Sequence, residues 1–296
     1  MRLFSKRNLK GLALLAVLGL GVFWVASAPQ PLTAADIPVH TANLENGHLL
    51  YNIGGCISCH ADANGAPAGG KPLQTPIGTL YPPNLTPDSE TGLGKWTEVD
   101  FVNAMQKGLS PNSQHLIPAF PYTSYAHMKV EDVLDIKAYL ATLPAVKNQT
   151  PPHEVAFQPI IRRGLGLWKW VGLNETKWQP DAAQSAAWNR GAYLVNGPGH
   201  CSECHTPRTI FMSSDTAKMF AGGPHPEGKG KVPSLRGLIE RQRYKDVGDL
   251  VLAFQNGEMM GYDKMSSGGM GAVQSNLSKL PEDDLKAIAE YVTSLK

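Results

Sequence analysis

Between Gly11 and Ala28 the chain runs eighteen residues without a charge, rich in Leu, Val, Ala and Gly, behind a basic lead of Arg2, Lys6, Arg7 and Lys10. That run exceeds the about 7 to 15 residues of a secretory apolar region and reaches the lower edge of the about 17 to 25 that span a bilayer. Ala26-Ser27-Ala28 has the small-residue pattern of a peptidase site, but Pro29 follows it directly. Residues 1–30 are therefore expected to form an uncleaved transmembrane or signal helix. Its basic end would lie inside and everything beyond about residue 30 outside, by the positive-inside rule.

The rest of the apolar pattern occurs twice. Leu285, Ile288, Ala289, Val292 and Leu295 recur at helical spacing, with acidic residues at the end where a helix dipole favours them. The segment 283–295 matches 131–143. Likewise 101–108 matches 250–257, each reading as a helix closed by glycine, and 46–52 matches 190–196. Each half predicts the same order: helix, long Gly/Pro loop, short helix, loop, closing helix.

Composition narrows the architecture. A length of 296 residues suits about two domains. The 30 glycines and 23 prolines exceed the usual proportions of about 7% and about 5%, which favours compact, loop-rich units over long bundles. After residue 10 the chain holds 23 basic against 25 acidic side chains. A slightly acidic body excludes nucleic acid as the expected partner.

All four cysteines fall in two C-x-x-C-H motifs, Cys56-Ile-Ser-Cys59-His60 and Cys201-Ser-Glu-Cys204-His205. Thiols three positions apart reach the two vinyl groups of one haem, and the adjacent histidine approaches the iron from one side. Disulfides, a four-cysteine zinc site or a thioredoxin-like pair would leave both histidines without a task. Two covalently attached haem c groups are expected, on Cys56 and Cys59 and on Cys201 and Cys204, with His60 and His205 as iron ligands.

Each half resembles the class I cytochrome c domain, over about residues 41–146 and 184–296, joined by a linker at 147–183. The implied fold is all-α, two tandem domains after the N-terminal helix. The whole is similar to membrane-bound dihaem c-type cytochromes and to the cytochrome subunits of periplasmic alcohol, gluconate and fructose dehydrogenases. The resemblance rests on residues 83–96, on Pro118-Ala-Phe-Pro-Tyr122 and on His200-Cys-Ser-Glu-Cys-His-Thr-Pro-Arg208. A third haem motif found in those trihaem subunits is absent from this sequence. The resemblance implies a periplasmic dehydrogenase as electron donor, an oxidase or another cytochrome as acceptor, and attachment to the bacterial inner membrane with the haem domains in the periplasm.

A haem closed on its second face is a carrier, and one left open is a potential catalyst. In the first half Met105 lies mid-helix, which leaves Met128 as the expected ligand, with His127 as competitor. The second half offers Met259, Met260, Met265 and Met270. His60 to Met128 spans 68 residues and His205 to Met270 spans 65, which favours Met270, with Met265 behind it. Both choices also match the family's ligand positions. The alternative class is a dihaem peroxidase-like oxidoreductase with one exchangeable ligand.

Other residues carry weaker expectations. Trp96 and Tyr244 precede equivalent helices and either hold haem propionates or simply pack. Arg208 either neutralises a propionate or is solvated. Asp88, Glu90 and Asp100 read as turn and cap residues rather than a calcium site. The apolar linker segment 160–170 is expected to pack across both domains with Arg162 or Arg163 near propionates, or else to lie on a membrane surface.

Overall fold

The computed structural model describes residues 6–225, 230–257 and 269–296, with side chains from Lys10 onward. The first helix, α1 (Lys6–Ala26), touches the body only near its C-terminal end, with Leu12, Leu15, Leu20 and Val25 largely exposed. It stops at Ala26, where the Ser27 hydroxyl turns back to donate to Phe23 O at 2.6 Å, and Pro29 lies just beyond. Among the described residues no helix is long and apolar enough to cross a membrane.

The first unit contains α2 (Leu44–Ile53), α3 (Cys56–His60), a hairpin of β1 (Leu73–Thr75) and β2 (Gly78–Leu80), α4 (Glu98–Val102), α5 (Tyr122–Tyr125) and α6 (Val130–Ala141). Thr97 and Asp100 form a capping box that starts α4. It runs on as one π-helical turn, Asn103–Lys107, ended by Gly108 in the left-handed region. Then come β3 (Glu154–Val155), which pairs antiparallel with β2, and α7 (Gln158–Gly172). The second unit contains α8 (Ala186–Asn196), α9 (Ser202–His205), the two-residue strands β4 (Gly223–Pro224) and β5 (Lys231–Val232), α10 (Val247–Asn256), α11 (Gly269–Leu277) and α12 (Glu282–Ser294).

The internal duplication is a duplication of packing. At the crossing of α2 and α6, a Cβ on Gly47 would lie 2.1 Å from Asp135 O; where α8 crosses α12, one on Gly191 would lie 1.8 Å from Ala287 O. Asp135 and Ala287 hold the same place in the matched closing helices. Only glycine lets each pair of backbones approach this closely. The neighbouring residues repeat the logic with different chemistry. The Asn46 amide donates to Asp132 and Asp135 at 2.7 Å, whereas Arg190 binds Asp284 through both Nε (2.8 Å) and Nη2 (3.2 Å).

The two units share one hydrophobic cluster, in which Leu50, Ile53 and Met128 pack with Leu194, Val195 and Ile288. The fold is helix-rich, and among the described residues the helices are accompanied by five short strands. They are two or three residues long, too short to show an alternating pattern, and they form where Gly/Pro-rich loops double back. The turn through Gly78 is one such place, since its φ of +131° and its close approach to Glu154 O exclude a side chain.

The stretch between the units is packed, not free. Lys177 Nζ donates to Gln106 Oε1 at 2.5 Å and Ala126 O at 3.1 Å, Lys107 pairs with Glu175 at 2.7 Å, and Trp168 Nε1 reaches Phe211 O in the second unit at 2.8 Å.

Candidate haem sites

Each C-x-x-C-H motif winds into a short helix whose entry residue is left-handed: Gly55 at φ +57° before Cys56, and His200 at φ +41° before Cys201. The geometry places both cysteines of a motif one turn apart with the histidine beside the second. Cys56 and Cys201 are half-buried, Cys59 and Cys204 are exposed, and none is in a disulfide. Before haem attaches, burial pushes the thiols of Cys56 and Cys201 up to about 12, which keeps them protonated at neutral pH.

The histidines are fixed in the same way. His60 Nδ1 meets Pro83 O at 2.7 Å, and His205 Nδ1 meets Pro233 O at 2.8 Å. A carbonyl can only accept, so Nδ1 carries the proton in both rings and Nε2 is the nitrogen with a lone pair. Burial, opposed by the bond to the prolyl carbonyl, pulls His60 down to about 4, and burial lowers His205. Neutral imidazoles oriented by a backbone carbonyl are the form in which histidine ligates iron. This donor set, two thiols and one oriented Nε2 per motif, fits haem c.

The methionines are placed less alike. Met128 is fully buried beside Gly197, just before the second motif, and its carbonyl accepts from Gln106 Nε2 at 2.9 Å. Met105 is buried in the π-helical turn. His127 is turned to the linker, with Nδ1 2.7 Å from Thr176 O. Met270 is half-buried at the head of α11 against the shared core, while Met259, Met260 and Met265 lie outside the described residues. Counting back from the closing helices, Leu280 and not Met270 occupies the place of Met128, because α5 matches only the last turn of α11.

Several supporting expectations resolve. Asp88 Oδ1 accepts from Glu90 N, Thr91 N and Thr91 Oγ1, a turn; Asp100 caps α4; Glu90 pairs with Lys147. Tyr244 is buried in the core and Trp96 is half-buried. Arg162 donates to His115 O at 2.9 Å and Arg163 to Trp24 O. Arg208 is held by Glu203 at 2.7 Å.

Glu203 was not legible as a functional residue. It is the third residue of the second motif and accepts from Thr123 Oγ1 at 2.5 Å and Ser124 Oγ at 3.0 Å in the first unit. The matched residue of the first motif, Ser58, accepts from Asn276 Nδ2 at 3.1 Å in the second. Ser124 and Asn276 hold the same place before their closing helices. Each attachment helix is thus braced by the other unit, in a pseudo-two-fold arrangement. The one available signal was a carboxylate inside an otherwise uncharged motif.

Residues 44–144 match the family described as "Cytochrome c". The chain is 38% identical over 292 residues, 95% of both chains, to a "Diheme cytochrome c-type" of Cereibacter sphaeroides. This chain belongs to the cytochrome c family. It is also 36% identical, over 96% of its length, to a nicotinate dehydrogenase subunit of Pseudomonas putida, but spans only 24% of that protein. It is 34% identical to the "Gluconate 2-dehydrogenase cytochrome c subunit" of Pantoea cypripedii, over 88% of this chain and 61% of that one. As a cytochrome c, the chain carries haem c.

Proposed function

We propose that this cytochrome is a dihaem carrier that takes single electrons from a periplasmic dehydrogenase and passes them to a terminal oxidase or another cytochrome. It acts from the periplasmic face of the inner membrane, held there by α1. The observation that carries the reading is the repeated fixation of His60 and His205 on the Pro83 and Pro233 carbonyls, because it prepares two irons and not one. Relatives named as a dihaem cytochrome and as cytochrome subunits of gluconate, alcohol and fructose dehydrogenases support the electron-transfer role.

Haem c supplies a one-electron ferric/ferrous couple. The protein does the rest: Cys56, Cys59, Cys201 and Cys204 would hold the two groups, and His60, Met128, His205 and Met270 would ligate the irons. A thioether favours ferrous iron relative to a second imidazole, which raises the potential and directs electrons to a high-potential acceptor. No side chain performs acid–base chemistry here; the residues position and tune.

The intact mass of the exported chain tests the count. Two haem additions are expected, falling to one when Cys56 and Cys59 are both replaced by Ala. One addition to the unaltered chain would contradict the proposal.

A further inference from the structure

We infer that the outward face of α7, with the loop Ile210–Met212, lies in the interfacial layer of a lipid bilayer, beside the point where α1 leaves the body. This rests on the reading of α1 as a membrane anchor.

The helix is amphipathic in the inverse sense to a soluble one. Two of its three cations point inward: Arg162 Nη1 donates to His115 O at 2.9 Å, and Lys169 Nζ donates to the carbonyls of Lys107 and Gly108. Ile161 and Leu165 share that inner side, against Leu80, Ile117 and Val155. At about 100° per residue, Ile160, Gly164, Leu167 and Val171 fall on one opposite strip, with Phe157 and Trp170 at its edges. Those four carry no charge, and Arg163, between them and Trp170, is covered by the Trp24 ring. Ile160 is 68% exposed, Trp170 71% and Phe157 77%, and a Cβ on Gly164 would meet nothing within 4 Å. A helix that turns two cations inward, stacks the third on an aromatic ring and presents its apolar side outward suits an apolar surrounding.

The position of α1 identifies that surrounding as lipid. Its last turn is seated on α7: the Arg163 guanidinium stacks 4.2 Å from the Trp24 ring centroid, Gly166 packs against Ser27 O, and His115 Nε2 lies 3.0 Å from Ser27 O. The rest of α1 projects away with its apolar side chains exposed. The same surface continues into Ile210, 91% exposed, whose loop is tied to α7 by the Trp168 to Phe211 bond. Phe157 and Met212 are moreover exposed large side chains in left-handed backbone, at φ +52° and +59°, a conformation that disfavours any side chain and here turns two apolar ones outward. Tryptophans beside the exit of an apolar helix suit the bilayer interface.

The test is acyl-chain photolabelling of the full haem-loaded chain in phosphatidylethanolamine/phosphatidylglycerol vesicles doped with a diazirine phosphatidylcholine, with labelled peptides mapped by mass spectrometry. Labelling of α1, of 157–171 and of 210–212, several-fold above α12, is expected. The double variant Ile160→Glu, Val171→Glu should lose the α7 label while keeping the α1 label and the haem spectrum. Label confined to α1 overturns this inference and leaves the anchor standing; label nowhere removes both. Cross-linking of α7 to a co-purifying protein in native membranes, without lipid label, would assign the face to that protein and overturn the inference.

Discussion

His200 Nε2 lies 3.1 Å from Gly54 O, so the residue that precedes the second pair of haem cysteines holds the loop that leads into the first pair. His200 occupies the left-handed position that Gly55 fills in the first motif. A side chain there costs about 1–2 kcal/mol, and its ring returns that by spanning the units. His200→Gly should therefore leave both attachment helices intact but loosen the contact between halves. The expected result is two separated thermal transitions where the parent has one, and slower electron equilibration between haems after flash reduction. An unchanged single transition would show that the bond contributes nothing.

Glu203 gives a pH dependence. Burial raises its pKa, but the Arg208 charge and hydrogen bonds from Thr123, Arg208 and Ser124 together outweigh burial and hold the carboxyl below its ordinary value. A group whose folded pKa is depressed contributes stability above its unfolded pKa, about 4.3, and loses it as pH falls through the folded value. Contact between the units should weaken on acidification below about pH 4.3. Glu203→Gln should flatten that dependence and lower stability at pH 7 by about 1.5–3 kcal/mol, the usual size for hydrogen bonds to a charged group. Urea titrations at pH 4 and pH 7 check both parts.

The glycine crossings predict matched defects. Gly47→Ala and Gly191→Ala each place a Cβ well inside contact distance of a backbone carbonyl. Each should destabilise its own unit by about 1–3 kcal/mol or more, the cost of overpacking a core. Differential calorimetry of the two variants, with the haem absorption followed through the same melt, should show the lowered transition in different haem bands.

These relationships mark what the sequence carried and what it did not. The duplicated helices, the caps of α4 and the two haem motifs are local patterns, and they were legible because periodicity and spacing act within a few turns. The bracing of Ser58 by Asn276 and of Glu203 by Ser124 joins residues far apart in the chain, so no local pattern announced it. The strands at 73–80 and 154–155 are set by tertiary pairing of loops and left no alternation. Arg162 and Arg163 suggested anions, whereas in the fold they meet the His115 carbonyl and the Trp24 ring. The duplication also misleads in one respect: Leu280 stands where Met128 does, so the segments that hold Met128 and Met270 are not copies.

That difference makes the ligands separable. Met128→Ala and Met270→Ala should each remove about half of the sulfur-to-iron charge-transfer absorption of the ferric protein and lower one of two potentials, since loss of a thioether disfavours ferrous iron. A full band in either variant would remove that residue from the ligand set.

The most direct measurement is the absorption spectrum of the dithionite-reduced protein before and after carbon monoxide, with haem counted in the same sample. Two haems per chain and no prompt shift in either are expected, because the proposed ligation closes both irons with histidine and methionine. A prompt shift in one haem would reveal an exchangeable site and contradict the carrier reading in favour of peroxidase-like chemistry.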